Sequence, residues 1–159
     1  MNPGLVLYEE EFRKISGICD RLTRDASAKV VFLVDKNGQL IAATGQAQHL
    51  DTTSLASLTA GNVAAMGGLA KLIGEKEFPS QFHEGERESL HMSIVAGRVV
   101  LVVIFDARSS LGLVRLRVKK AGEELARVFE QLSRRQAAPG AQSPFAEITD
   151  DDIDYLFSA

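Results

Sequence analysis

Gly61 to Lys71 reads GNVAAMGGLAK, and glycines ahead of a lysine suggest a loop that cradles phosphate. Such a loop needs Gly, four residues, then Gly-Lys-Ser/Thr, so that backbone N–H groups, the lysine and a hydroxyl converge on the phosphates. Here the spacing differs, no Ser or Thr follows Lys71, and the segment falls inside a predicted helix whose amides are already bonded. His49, His83 and His91 belong to three separate segments with no metal-ligand spacing, so they read as surface or strand histidines. Cys19 lies on the apolar side of a predicted helix and reads as a small core residue. Asp150, Asp151, Asp152 and Asp154 crowd together like calcium ligands, but they lack the glycine and closing glutamate of an EF-hand loop; a solvated helix start is the plainer reading. RLRVKK, Arg115 to Lys120, is a basic stripe without interleaved aromatics and reads as a solvated helix face rather than a nucleic-acid site. No nucleophile, base and oxyanion-stabilising set can be assembled. The chain is therefore expected to have no catalytic residues, metal site or cofactor of its own.

The elements that would position any working surface follow from periodicity. LYEEEFRKISGICDRLTRDA reads as a first helix: Leu7, Phe12, Ile15, Ile18, Cys19 and Leu22 recur at helical steps. Glu9 to Glu11 occupy its first turn, where the helix dipole favours acids. KVVFLVDKNGQLIAATG is two β-rich runs around Asn37-Gly38, the preferred pair for a type I′ turn because both central positions need φ > 0. Asp51, ahead of Thr52 and Thr53, is placed to cap a second helix. EFPSQFHEG is short and contains Pro79, which lacks an N–H, so it reads as an edge strand or loop. SLHMSIVAG and RVVLVVIFDA read as strands joined around Gly97, the second nearly all apolar and hence central. SSLGLVRLRVKKAGEELARVFEQLSRR reads as a long helix capped near Ser109 or Ser110. Hairpins rather than crossovers predict an α+β fold, α-β-β-α-β-β-β-α, with a mostly antiparallel five-stranded sheet covered by helices. Residues 1–135 form the domain, 136–142 a linker, and 143–159 a short acidic amphipathic helix.

Composition limits the partners. Over 159 residues the formal net charge is −3, which implies no bulk attraction to nucleic acid or anionic lipid. One cysteine excludes a disulfide framework and suggests a reduced, cytoplasmic setting. No signal peptide or membrane span is indicated.

The second helix is the anomaly. From Thr52 to Ala70 it carries no charge. Placed at about 100° per residue, Leu55, Leu58, Met66, Leu69 and Ile73 share one side, the expected core stripe. Asn62 falls among them and is expected to be hydrogen-bonded. The other side holds Thr53, Ser57, Ala60, Ala64, Gly67, Gly68 and Lys71, almost all small. Each internal glycine costs about 1 kcal/mol relative to alanine, so propensity opposes Gly61, Gly67 and Gly68 unless another backbone must come close. That backbone belongs either to the chain's own third helix or, the favoured reading, to other chains docking on a flat platform.

The segments VVFLVDKNGQLIAATG, SLASLTAGNVAAMGGLAKLIG, FHEG, VVLVVIFD and SSLGLVRLRVKKAGEEL, in this order and spacing, resemble the Roadblock (dynein light-chain) family, and within it the bacterial gliding-motility regulators. The resemblance covers essentially the whole chain and implies a Roadblock/longin-like three-layer sandwich. It implies a homodimer that pairs third strands, here Gln81, Phe82, His83, Glu84 and Gly85, and lays second helices side by side. It implies binding of one Ras-like small GTPase to two copies, on Thr53, Ser57, Ala60, Ala64, Gly67, Gly68 and Lys71. The activity implied is GTPase activation in cell polarity and motility without an arginine finger, by shifting the GTPase to its competent state; GTP, GDP and Mg belong to the GTPase. A cell pole is one implied place of action. The alternative is a Roadblock scaffold or adaptor subunit that does not stimulate hydrolysis.

In the tail, Phe145, Ile148, Ile153, Leu156 and Phe157 can form an apolar stripe. Ser143 before Pro144 suits an N-cap with Pro at N1. So short a helix is marginal alone and is expected to order only on a partner. The resemblance implies that it contacts the GTPase and modulates nucleotide exchange or binding.

Overall fold

The computed structural model describes residues 7–137. Elements run α1 (Glu9–Asp25), β1 (Val30–Asp35), β2 (Leu40–Gly45), α2 (Thr52–Leu72), β3 (Ser80–His83), β4 (Ser89–Val95), β5 (Val99–Phe105) and α3 (Leu111–Ala137). The strands form one sheet in the order β2-β1-β5-β4-β3, every neighbouring pair antiparallel. This is the expected α+β order. The all-apolar VVLVVIF is the central strand because both its faces are covered: every residue of β5 is buried.

Side-chain alternation divides the core into two layers. Val31, Leu33, Val99, Leu101 and Val103 face α1 and α3, meeting Ile15, Cys19, Leu22, Val118, Leu125 and Phe129. Val30, Phe32, Val34, Met92, Val100 and Val102 face the other way, where α2 brings only Ala56 and Val63 into the buried cluster, with Leu55 beside it. Two helices thus cover one face and a single helix the other.

Several local expectations are corrected. Asn37-Gly38 is not a type I′ turn. Gly38 donates to the Asp35 carbonyl at 3.0 Å, and the Asp35 carboxylate accepts from the N–H groups of Asn37 and Gln39. Only Gly38 takes positive φ there, 92°, which marks a three-residue loop closed by a glycine bulge. The capping carboxylate of Asp35 satisfies the extra amides, so Asn37 need not leave the ordinary region. The paired positive φ values fall instead at Ala96 and Gly97, 53° and 66°, between β4 and β5. In α1, Phe12 is exposed, and Glu11 is buried in its place, paired with Arg135 of α3 at 2.9 Å. Ser110 is the residue that caps α3, accepting from Leu113 N–H at 3.2 Å. Ser109 instead donates to the Ala26 carbonyl at 2.5 Å and ties the start of α3 to the end of α1.

Helix α3 continues through Gln136 and Ala137, two residues into the stretch read as linker. The remaining linker, the four aspartates and the tail positions Phe145, Ile148, Ile153, Leu156 and Phe157 lie outside the described residues.

Candidate functional site

Asp51 caps α2 as its sequence position suggests, accepting from Ser54 N–H at 3.0 Å and Ser54 hydroxyl at 2.6 Å. Those hydrogen bonds hold its carboxyl below the usual carboxylate range. The inward side of the helix is the surprise. Its buried residues are Ala56, Thr59, Val63 and Ala70. Of the expected core stripe, Leu55 packs beside the buried cluster and Met66 is half-buried, but Leu58 is 72 % exposed, Leu69 47 % and Ile73 64 %, with Leu72 at 84 %. The residues that α2 buries against Val30, Phe32, Val34, Val100 and Val102 are small or β-branched, so large apolar side chains do not mark the inside of this helix. Leaving each leucine or isoleucine in water forfeits roughly 1.5–3 kcal/mol. The absence of charge around the whole circumference was the available signal, since it fits a helix covered on more than one side.

The small-residue side of α2 differs in exposure along its length. Thr53, Ser57, Ala64, Gly68 and Lys71 are exposed; Ala60 and Gly67 are half-buried. Ala60 is shielded by the β1–β2 turn, where a Cβ on Gly38 would lie 3.6 Å from both Ala60 Cβ and Ser57 Cα. Beyond Gly67 and Gly68 nothing within the described residues stands within 4 Å of an added Cβ, so their smallness serves no contact inside the domain. The third helix lies on the opposite face of the sheet and is not what covers them. Asn62, expected to be bonded, has its Oδ1 enclosed without a partner among the described residues, beside the outward leucines.

The sheet ends at β3, which bonds only to β4. Phe82 turns to the α1/α3 face, its ring stacked on Phe105 with centroids 6.2 Å apart. Gln81 and His83 alternate to the other face, His83 Nε2 lying 3.3 Å from Gln81 Oε1. Of the predicted edge, Gln81, Phe82 and His83 are strand; Glu84 and Gly85 follow it, because the chain must turn there. An added Cβ on Gly85 would lie 2.2 Å from the Glu88 carbonyl oxygen, so the turn admits only glycine without a shift. The far edge, β2, is broken in register after Leu33, which disfavours pairing with another strand; β3 has no such irregularity.

No cluster of three or more His, Cys, Asp or Glu among the described residues could hold a metal. His91 is buried on β4; burial first, then the positive charge of Arg115, lowers its pKa below 6.5. Burial, with Asp20 nearby, pushes the Cys19 thiol up to about 12, which suits a core residue and not a nucleophile. No helix of the described residues is long and apolar enough to cross a membrane.

Residues 14–105 match the model of the Roadblock/LC7 domain. The chain belongs to the Roadblock/LC7 family. Within it, the chain is MglB-like. It is 76% identical to MglB of Myxococcus xanthus, with TM-score 0.77, over 80% of this chain and 96% of that one. It is 34% identical to the gliding protein mglB from Thermus thermophilus, with TM-score 0.76, over 82% of this chain and 99% of that one. A structure described as MglB with tetrameric arrangement is likewise 34% identical, with TM-score 0.76, over 83% of this chain and 99% of that one. No curated protein sequence matches. The Roadblock/LC7 match begins within α1 and stops at the end of β5, so α3 lies outside it.

Proposed function

We propose that this protein regulates gliding motility and cell polarity as a homodimeric GTPase-activating protein for a Ras-like small GTPase of the MglA type. The observation that carries the reading is α2: a helix without charge from Thr52 to Ala70, in a chain 76% identical to MglB of Myxococcus xanthus, with an outward leucine strip and an outward small-residue strip that are largely exposed among the described residues. The leucine strip, Leu58, Leu69, Leu72 and Ile73, meets its equivalent on a second copy. The β3 edges pair alongside it and complete a continuous sheet. The small-residue strip, Thr53, Ser57, Ala60, Ala64, Gly67, Gly68 and Lys71, then forms a doubled platform for one GTPase. A relative described with a tetrameric arrangement supports association between copies.

Activation on this reading needs no arginine finger, and α2 contains no arginine. GTP hydrolysis needs an oriented water and charge stabilisation on the transferring phosphate. The GTPase supplies both, together with its nucleotide and Mg. The dimer contributes tighter binding to the hydrolysis-competent conformation, which shifts the population towards it. The tail helix modulates exchange or binding from a second contact.

The test is GTP turnover by a candidate Ras-like GTPase with and without this protein. Turnover rises with wild-type protein. With Ala64→Arg it stays at the intrinsic rate while the dimer remains intact, because the exposed alanine carries none of the fold. Undiminished stimulation by that variant would sink the proposed platform; no stimulation by wild type would leave the scaffold reading standing instead.

A further inference from the structure

A groove of about 310 Å³ runs along the outer flank of α3, between that helix and the free end of β4. Val95, Val118, Gly122 and Ala126 give it an apolar floor, and Ser93 lines it with an enclosed hydroxyl that has no hydrogen-bond partner among the described residues. β3 pairs no further than Ser93, so Val95 and Ala96 have no strand beside them on this side. Above the groove stand Lys119 and, one turn earlier, Arg115; both are exposed and form no ion pair among the described residues. Glu123 is the one acid among the described residues that line it.

We propose that the chain's own C-terminal segment, Phe145 to Phe157, docks in this groove in the free protein. Its apolar side chains meet the floor and its carboxylates meet Arg115 and Lys119. Three observations favour this occupant. Residues 143–159 contain five carboxylates and no lysine or arginine, opposite in sign to the flank. Reach also fits: α3 ends at Ala137, about 22 Å beyond Gly122 at 1.5 Å per residue. Eight residues from 138 to 145 can span at most about 26–29 Å. A segment running back antiparallel to α3 therefore brings Phe145 level with Gly122, and Asp150 to Asp154 level with Arg115 and Lys119. Finally, another large recess among the described residues is already neutralised. Its cations Arg13, Lys14 and Arg135 are paired with Glu9, Glu10 and Glu11 at 2.6, 3.6 and 2.9 Å. Docking on α3 holds the segment away from other surfaces until a competitor releases it.

The chain has no tryptophan, so Phe145→Trp in the full-length protein gives a single emission to follow. In the free protein the emission is blue-shifted, with a several-fold lower acrylamide quenching constant than in a synthetic peptide of residues 143–159 bearing the same substitution. Arg115→Glu with Lys119→Glu removes that protection, and high salt weakens it by screening. Gly122→Met, whose Cβ would lie a tolerable 4.0 Å from Val95 Cγ2, fills the floor and also removes it. Circular dichroism melting curves check that each variant is folded. Quenching equal to that of the peptide overturns the proposal. So does protection that survives both variants, which would seat the segment elsewhere, and protection lost on dilution, which would assign it to another copy. No GTPase enters the measurement, so its outcome is independent of the proposed activation.

Discussion

Ala96 sits at φ 53° in the β4–β5 turn, a conformation that costs an L-residue with a Cβ roughly 1–2 kcal/mol. Glycine relieves the clash but loses more backbone freedom on folding, so Ala96→Gly is expected to raise the unfolding free energy by roughly 0.5–1 kcal/mol, read as a higher urea midpoint. His91 gives a second residue-scale expectation. Its folded pKa lies below the ordinary 6.5, chiefly through burial and secondarily through Arg115. The unfolded chain therefore takes up the proton first as pH falls. Stability is fully present above pH 6.5 and declines as pH drops from 6.5 towards the depressed folded value. Denaturation at a series of pH values should show that slope, and His91→Gln should flatten it. A slope unchanged in the variant would assign the acid sensitivity to other groups.

At the scale of elements, α2 is a helix with three covered or coverable strips rather than one. Its inward strip is narrow and made of small residues, which is why large leucines point outward. Each leucine that passes from water into a contact gains roughly 1.5–3 kcal/mol, so several on each of two copies make a substantial driving force. Leu58→Glu with Leu69→Glu should give a folded monomer in analytical ultracentrifugation, because both side chains already lie outside the core. Unfolding of that variant, or an unchanged dimer, would remove the leucine strip from the proposed interface. Legibility varied along the chain for a physical reason. The Asp51 cap, the buried VVLVVIF strand and the short β3 edge depend on neighbouring residues and were readable. The facing of α2 was not, because a helix uncharged on all sides offers periodicity no contrast.

For the whole molecule, the layers divide labour. Helices α1 and α3 close one face of the sheet over the larger core cluster, while α2 alone covers the other and β3 ends the sheet, the two surfaces on which the proposed dimer and GTPase platform rest. The acidic tail follows α3 in the sequence, and the proposed function gives it a second contact with the GTPase. Deleting residues 144–159 should leave the melting temperature of the domain within error and weaken GTPase binding or stimulation in the turnover assay. Unchanged binding and stimulation would reduce the tail to solubilising charge.

The sequence by itself determined the element order, the antiparallel sheet, the absence of a phosphate loop in GNVAAMGGLAK and the run of small residues along one side of the helix from Thr53 to Lys71. Those features rest on local pattern, spacing and residue size. Only the tertiary structure decided which side of α2 is inside. It also decided that Glu11 rather than Phe12 is buried, and that an open groove lies along α3. Each of these depends on which surfaces meet across the sheet. Helical periodicity says which residues share a side; the depth and curvature of the opposing layer choose the side that is buried.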